Sequence, residues 1–143
     1  MNGRGRLACG LRSMRAALGL LALAAPALAA AAPDDLRGVW RNPDGSVLVR
    51  IDECGKTLCG VVVGATAEAE ADARDGGYPR LIGLPLLYGY HPKGPRTWVG
   101  RVLVPDLGHV FPSHIELVDA RHAKVAGCLI GQHLCQTQVW QRD

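Results

Sequence analysis

Beyond residue 35, apolar and polar positions alternate with a period of two, and turn-forming residues break the alternation every ~8–12 positions, the spacing of an all-β sandwich or barrel. Leu36 to Arg41 reads as a first strand ending at Asn42-Pro43-Asp44-Gly45. In Ser46 to Glu53, Val47, Val49 and Ile51 alternate with Leu48, Arg50 and Asp52, which sends one set inward and most of the other into water. A turn at Cys54 to Thr57 leads into Leu58 to Gly64, whose Val61-Val62-Val63 run suits a pleated surface. Leu81 to Tyr90 is apolar but punctuated by Gly83, Pro85 and Gly89, so a bent or bulged strand is expected there, followed by a loop over His91 to Arg96. Thr97 to Val104 places Trp98, Gly100, Val102 and Val104 on one side. His109 to Val118 places Phe111, Ile115 and Leu117 on one face and His114 and Glu116 on the other, with Pro112 marking a bulge or an edge.

The segment Ala65 to Arg74 departs from this pattern. It is rich in Ala and Glu, holds no apolar residue larger than alanine, and reads as an exposed helical turn or two or a mobile loop, stopped by Asp75-Gly76-Gly77. The stretch Lys124 to Arg142 reads as a closing hairpin, with Val125 to Ile130 as one arm, Gly131-Gln132-His133 as the turn and Leu134 to Arg142 as the other arm. First and last strands meet when a sheet closes on itself, so Gly38 and Trp40 are expected to lie against Trp140 and Arg142. Since nearly every connection is short, the predicted fold is an all-β, up-and-down antiparallel barrel of about eight strands, lipocalin-like in architecture.

The N-terminus changes the reading of charge and compartment. Arg4, Arg6, Arg12 and Arg15 precede the apolar run Ala16 to Ala25, and Pro26-Ala27-Leu28-Ala29 supplies small residues at both cleavage-determining positions. Residues 1–29 are therefore expected to be a secretory signal peptide cleaved near Ala29, and 30–143 a single barrel domain, periplasmic or secreted, with no membrane span in the mature chain. The whole chain carries a formal charge of +3, but the four leader arginines account for it: removing them leaves 12 basic against 13 acidic residues. A basic-protein reading disappears with the leader, and no cluster of Lys and Arg interleaved with aromatics points to nucleic acid.

Cys9 leaves with the leader, and Cys54, Cys59, Cys128 and Cys135 remain, an even number in an oxidising compartment. Each pair flanks one tight turn. Two hairpin disulfides, Cys54 with Cys59 and Cys128 with Cys135, are expected, with cross-hairpin pairing the main rival among the three connectivities. Neither spacing is C-x-x-C, so a redox thiol pair is not indicated. Cys128, His133 and Cys135 lie close in sequence, with His109, His114 and His122 elsewhere, but a zinc site needs four ligands and thiolates that escape oxidation, and none is assigned. No cofactor is expected either.

No nucleophile elbow, metalloprotease, phosphate-loop or dinucleotide fingerprint is present, which makes a non-enzymatic module the leading expectation. Trp40, Tyr88, Tyr90 and Trp98 are the candidates for lining a site for a small apolar ligand, because small barrels can hold one at the open mouth; the competing account is that they fill the barrel. Other readings are an envelope protein partner, a structural or stress-related envelope role through the surface, and hydrolytic or redox chemistry at His114, Glu116 or the cysteines.

Gly38-Val39-Trp40, Val49-Arg50-Ile51, Cys54 with Leu58-Cys59-Gly60, Leu81 to Gly89, Trp98-Val99-Gly100, Pro105 to Gly108, and Gly127-Cys128 through Cys135 to Trp140-Gln141-Arg142 together resemble the bacterial family catalogued as domain of unknown function 2147. The resemblance implies a secreted or periplasmic β-rich domain and brings no activity. Ala65 to Gly77 departs from that family, which usually has a polar Asp/Asn-containing loop there. A weaker resemblance, to lipocalin-type barrels, implies that Arg142 packs on Trp40.

Overall fold

The computed structural model describes residues 35–143; the signal peptide expected over residues 1–29 lies outside them. The strands are β1 (Gly38–Arg41), β2 (Val47–Cys54), β3 (Thr57–Ala65), β4 (Pro85–Gly94), β5 (Thr97–Val104), β6 (His109–Leu117), β7 (His122–Ile130) and β8 (His133–Arg142). One helix, α1 (Ala67–Asp75), separates β3 from β4, and a 3-10 turn (Pro105–Leu107) separates β5 from β6. Each strand pairs antiparallel with the next, and β8 returns to β1, so the order around the closed barrel is the order of the sequence.

Directly opposed residues of antiparallel strands share a face, so the register sorts side chains into inward and outward sets. Trp40 opposes Val49, Val49 opposes Val62, Trp98 opposes Ile115 and Ile115 opposes Val125. This set points inward, and it fills the barrel: Trp40, Val49, Leu87 and Ile115 are completely buried. Tyr90 is the second-largest fully buried side chain, and it fits because the residue beside it is Gly100, where a Cβ would lie 2.7 Å from the Tyr90 ring. Of the two accounts of the aromatics, filling prevails over a hollow interior.

Two local expectations are corrected, and a third is decided in favour of one of its alternatives. Leu81 to Leu84 belongs to a turn, held by hydrogen bonds from the Val62 N–H to the Leu84 carbonyl and from the Gly83 N–H to the Val62 carbonyl, and β4 begins only at Pro85. At its other end β4 continues through His91 to Gly94, where a loop was expected, because β5 pairs with it there: His91 opposes Val99 and Pro92 opposes Trp98. Pro92 is tolerated since the pairing of β3 with β4 stops at Tyr90, so the missing N–H leaves no ladder bond unmade. The segment after β3 is an ordered helix. Thr66 Oγ1 accepts from the Ala69 N–H at the N-cap, Glu68 and Glu70 occupy the first turn and Arg74 the last, in line with the helix dipole. It is anchored as well, for Ala73 is buried and the Glu70 carboxylate accepts the N–H groups of Leu81 and Ile82. Those two amides also hold the Glu70 carboxyl below its usual value.

Closure rests on few groups. β1 meets β8 through two residue pairs only, Trp40 with Arg142 and Arg41 with Gln141. The Arg142 guanidinium lies 4.3 Å from the centre of the Trp40 ring and donates to three carbonyls: Ala120 at 2.8 Å, Arg37 at 2.5 Å and Asp35 at 2.7 Å. Trp40 Nε1 donates to the Leu36 carbonyl at 2.8 Å, and Arg41 pairs with Asp143. Gly38 leaves room for this arginine: its φ is +134°, and a Cβ there would sit 2.5 Å from Arg142 Nη1. Of the residues expected at the closure, Trp40 and Arg142 pair directly and Gly38 makes room for them, while Trp140, two positions before the arginine, is buried opposite Ala123 and has no register partner on β1. Replacing Arg142 by methionine removes charge-assisted bonds and a cation–π contact, and is expected to cost about 2–4 kcal/mol in urea denaturation. A loss of less than about 0.5 kcal/mol, the scale of ordinary surface substitutions, would contradict this account of closure.

Candidate functional site

At the end of the barrel that carries the β2–β3 and β4–β5 turns, the packed interior gives way to an open cavity of about 370 Å³. Leu58, Tyr90, Pro92 and Trp98 supply its apolar surface, and Glu53, Gly55, Lys56 and Thr57 its rim. The placement follows from register. Glu53 opposes Leu58, Leu58 opposes Tyr90 and Pro92 opposes Trp98, so four consecutive strands turn these side chains to the same inner face. Two turns wall the opening, and the β2–β3 turn is fixed by a disulfide between Cys54 and Cys59, whose Cα atoms are 5.8 Å apart.

Of the four aromatic candidates, the structure brings Tyr90 and Trp98 to this cavity and sets the other two apart. Trp40 is wholly buried under Arg142 at the seam. Tyr88 opposes Arg101 on the outer face and donates its hydroxyl to the Pro85 carbonyl at 2.6 Å. Burial raises its pKa, with a smaller contribution from Tyr78. Leu58, Pro92, Glu53 and Lys56 were not singled out from the sequence. The signal for Pro92 lay in its even spacing from Tyr90, but reading His91 to Arg96 as a loop discarded it.

Behind Trp98, Tyr90 closes the cavity floor and donates its hydroxyl to Ser113 Oγ at 2.5 Å. Ser113 is the one fully buried polar residue among those described, and this bond is what permits it inside. Burial pushes the Tyr90 pKa far above the ordinary tyrosine value, and the bond to Ser113 offsets part of that rise.

The second disulfide, Cys128 to Cys135, joins directly opposed residues of β7 and β8. Both hairpin pairings expected from the spacing are therefore present. His114 on β6, and not His133, is the histidine beside this bridge: its Nδ1 is 3.9 Å from Cys128 Sγ and 2.9 Å from Gln132 Oε1. The ligand atoms of His114, Cys128 and Cys135 lie within 4.8 Å of one another, but a disulfide offers no thiolate, so the trio in this state has one imidazole to give. Glu116, also on the outer face, sits 4.0 Å from Lys124. His122 pairs with Asp119, whose carboxyl is held below its usual value chiefly by the Arg121 N–H. A smaller cleft, about 220 Å³, lies outside the β1–β8 seam between Arg41, Arg121, Gln141, Arg142 and Asp143.

Residues 38–142 match the family described as an uncharacterised protein conserved in bacteria, DUF2147. The chain belongs to that family. No curated protein and no solved structure matches it. Among the described residues, no helix is long and apolar enough to cross a membrane.

Two measurements test the geometry of this DUF2147 barrel. Tyr90 keeps its proton in the folded state, so its contribution to stability is complete below the ordinary tyrosine value of 10.0 and is lost as pH rises above it, where only the unfolded chain ionises. Ultraviolet titration is expected to show one tyrosine ionising only with unfolding; early ionisation of all three would contradict its burial. Replacing Cys128 and Cys135 together by alanine should lower stability by about 2–2.5 kcal/mol, the chain-entropy value for a loop this short, read from denaturant midpoints.

Proposed function

We propose that this protein is a non-enzymatic module of the bacterial cell envelope, exported after cleavage near Ala29, which binds a small apolar molecule at the mouth lined by Tyr90 and Trp98. The observation that carries the reading is the contrast between a filled interior and the open cavity with an aromatic floor at the β2–β3 end. A volume of about 370 Å³ lies at the lower end of the range for small-molecule sites. Leu58, Pro92 and the Trp98 indole offer flat apolar contact, while Glu53 and Lys56 place one charge of each sign at the rim to orient a polar end. Of the lining groups able to do chemistry, Glu53 accepts from Arg37, Thr57 donates to the Cys54 carbonyl and Tyr90 donates to Ser113, an arrangement that suits retention of a ligand better than bond-breaking.

Glu53 is already committed in part, accepting from Arg37 at 3.1 Å, so Lys56 is the freer charge and an acidic end on the ligand is the better match. The test is native mass spectrometry of protein exported to the periplasm and purified without detergent. A reproducible adduct that is lost on denaturation is expected, and Trp98→Ala should reduce its occupancy at least about tenfold, as loss of an aromatic anchor does elsewhere. A bare ion from the wild-type protein would overturn the ligand reading.

A further inference from the structure

The last strand is paired unequally on its two sides. β8 runs alongside β7 for its whole length, from Gln141 opposite His122 to His133 opposite Ile130. On its other side it meets β1 only at Gln141 and Arg142, because β1 stops at Arg41 and the turn at Asn42 to Gly45 carries the chain away into β2. Among the described residues, positions 133–140 therefore present one edge of backbone with no ladder partner. The side chains agree, since every residue from His133 to Val139 is exposed. That includes Gln136 and Gln138, which oppose Gly127 and Val125 and so belong to the inner face.

An open strand edge is a template for another strand, and proteins that keep one unpaired usually guard it with Lys, Pro or inward-pointing charge. This edge has no such guard. His133-Leu134-Cys135-Gln136-Thr137-Gln138-Val139 contains no Lys, Arg, Asp, Glu or Pro. The disulfide from Cys135 to Cys128 ties it to β7, Leu134 departs from strand geometry with a φ of 54°, and Leu134 and Val139 are exposed.

We propose that the protein self-associates through this edge: a second copy pairs its own β8 antiparallel to the first, about a two-fold axis at Thr137. The strand is complementary to itself. A two-fold axis normal to the sheet must place inner residues opposite inner ones and outer opposite outer. Any residue of the strand taken as centre meets that condition; Thr137 also sets Gln136 against Gln138, whose side-chain amides each donate and accept even with Gln138 Oε1 taking one bond from Trp140 Nε1, and Cys135 against Val139 on the outer face. With no charge on the edge, two identical copies bring no like charges together, which is why a second copy is favoured over a foreign strand. The two barrels become one continuous sheet, and the site lies apart from the Tyr90–Trp98 mouth and does not depend on it.

Sedimentation velocity on the mature protein, from about 1 µM upward, the range of modest affinities, is the test. The wild type is expected to convert from monomer to dimer with concentration. Thr137→Lys and Thr137→Glu each place like charges face to face at the axis and should weaken association at least about tenfold, while an equimolar mixture of the two restores it as a heterodimer. Both substitutions are at an exposed position, and unchanged circular dichroism verifies folding. Concentration-dependent protection of the amides of residues 133–139 in hydrogen exchange is an independent readout on the unaltered chain. A wild type that stays monomeric throughout, or a dimer indifferent to both substitutions, overturns the proposal; failure of the mixture to recover overturns the Thr137 axis.

Discussion

One guanidinium group closes this barrel. Seven of the eight seams are ladders in which many backbone bonds share the work, but the eighth, between β1 and β8, has two residue pairs and depends on Arg142. That arginine covers the Trp40 ring and ties together three carbonyls from residues 35, 37 and 120, segments that no strand pairing would hold in place. Its partners are dipoles, so the positive charge is retained and spread over an aromatic face and three oxygens instead of being cancelled by one carboxylate. The whole arrangement needs Gly38, since any side chain there would occupy the space that the guanidinium takes.

A short β1 also makes the barrel unequal from end to end. Near Trp40 it is closed and dry. At the β2–β3 end the inner set runs out at Leu58 and Trp98, which leaves a cavity whose floor is rigid because Tyr90 is wedged over Gly100 and bonded to Ser113. At the other end, β8 outruns its neighbour and leaves backbone groups and Gln136 and Gln138 in water. Packing settles where binding can occur in a barrel this small: at the two places where a strand ends before the strand beside it does.

Most of the architecture was legible because it is written in short-range signals. Alternation in Thr97 to Val104 and His109 to Val118 assigns the right faces, and turn residues at 42–45, 54–57 and 131–133 mark the hairpins, whose flanking cysteines favour the disulfide pairing that the structure shows over a cross-hairpin one. What escaped depends on neighbours remote in sequence. Pro92 looks like a strand breaker until one sees that β3 has already ended beside it, and Ala73 looks like a surface residue until the helix is placed. The cavity was only half readable for the same reason. Tyr90 and Trp98 share a face by a register set partly by the bulge at Gly89, whereas Tyr88, two residues earlier, falls on the outer face across that bulge.

The meander also orders its own assembly. Each ladder from β2 to β8 joins strands adjacent in the chain, so its loop-closure entropy is small, while the Arg142 contacts to the first strand's approach span 105 residues and gain their enthalpy only once the intervening sheet has curled round. Closure is therefore the contact that costs the most chain entropy, and it falls to one side chain on the last strand of the barrel. Without that contact the molecule would be an open curved sheet with two bare edges, β1 and β8, so the seam held by the fewest pairs is also the one whose loss would most expose strand edges to a stray strand.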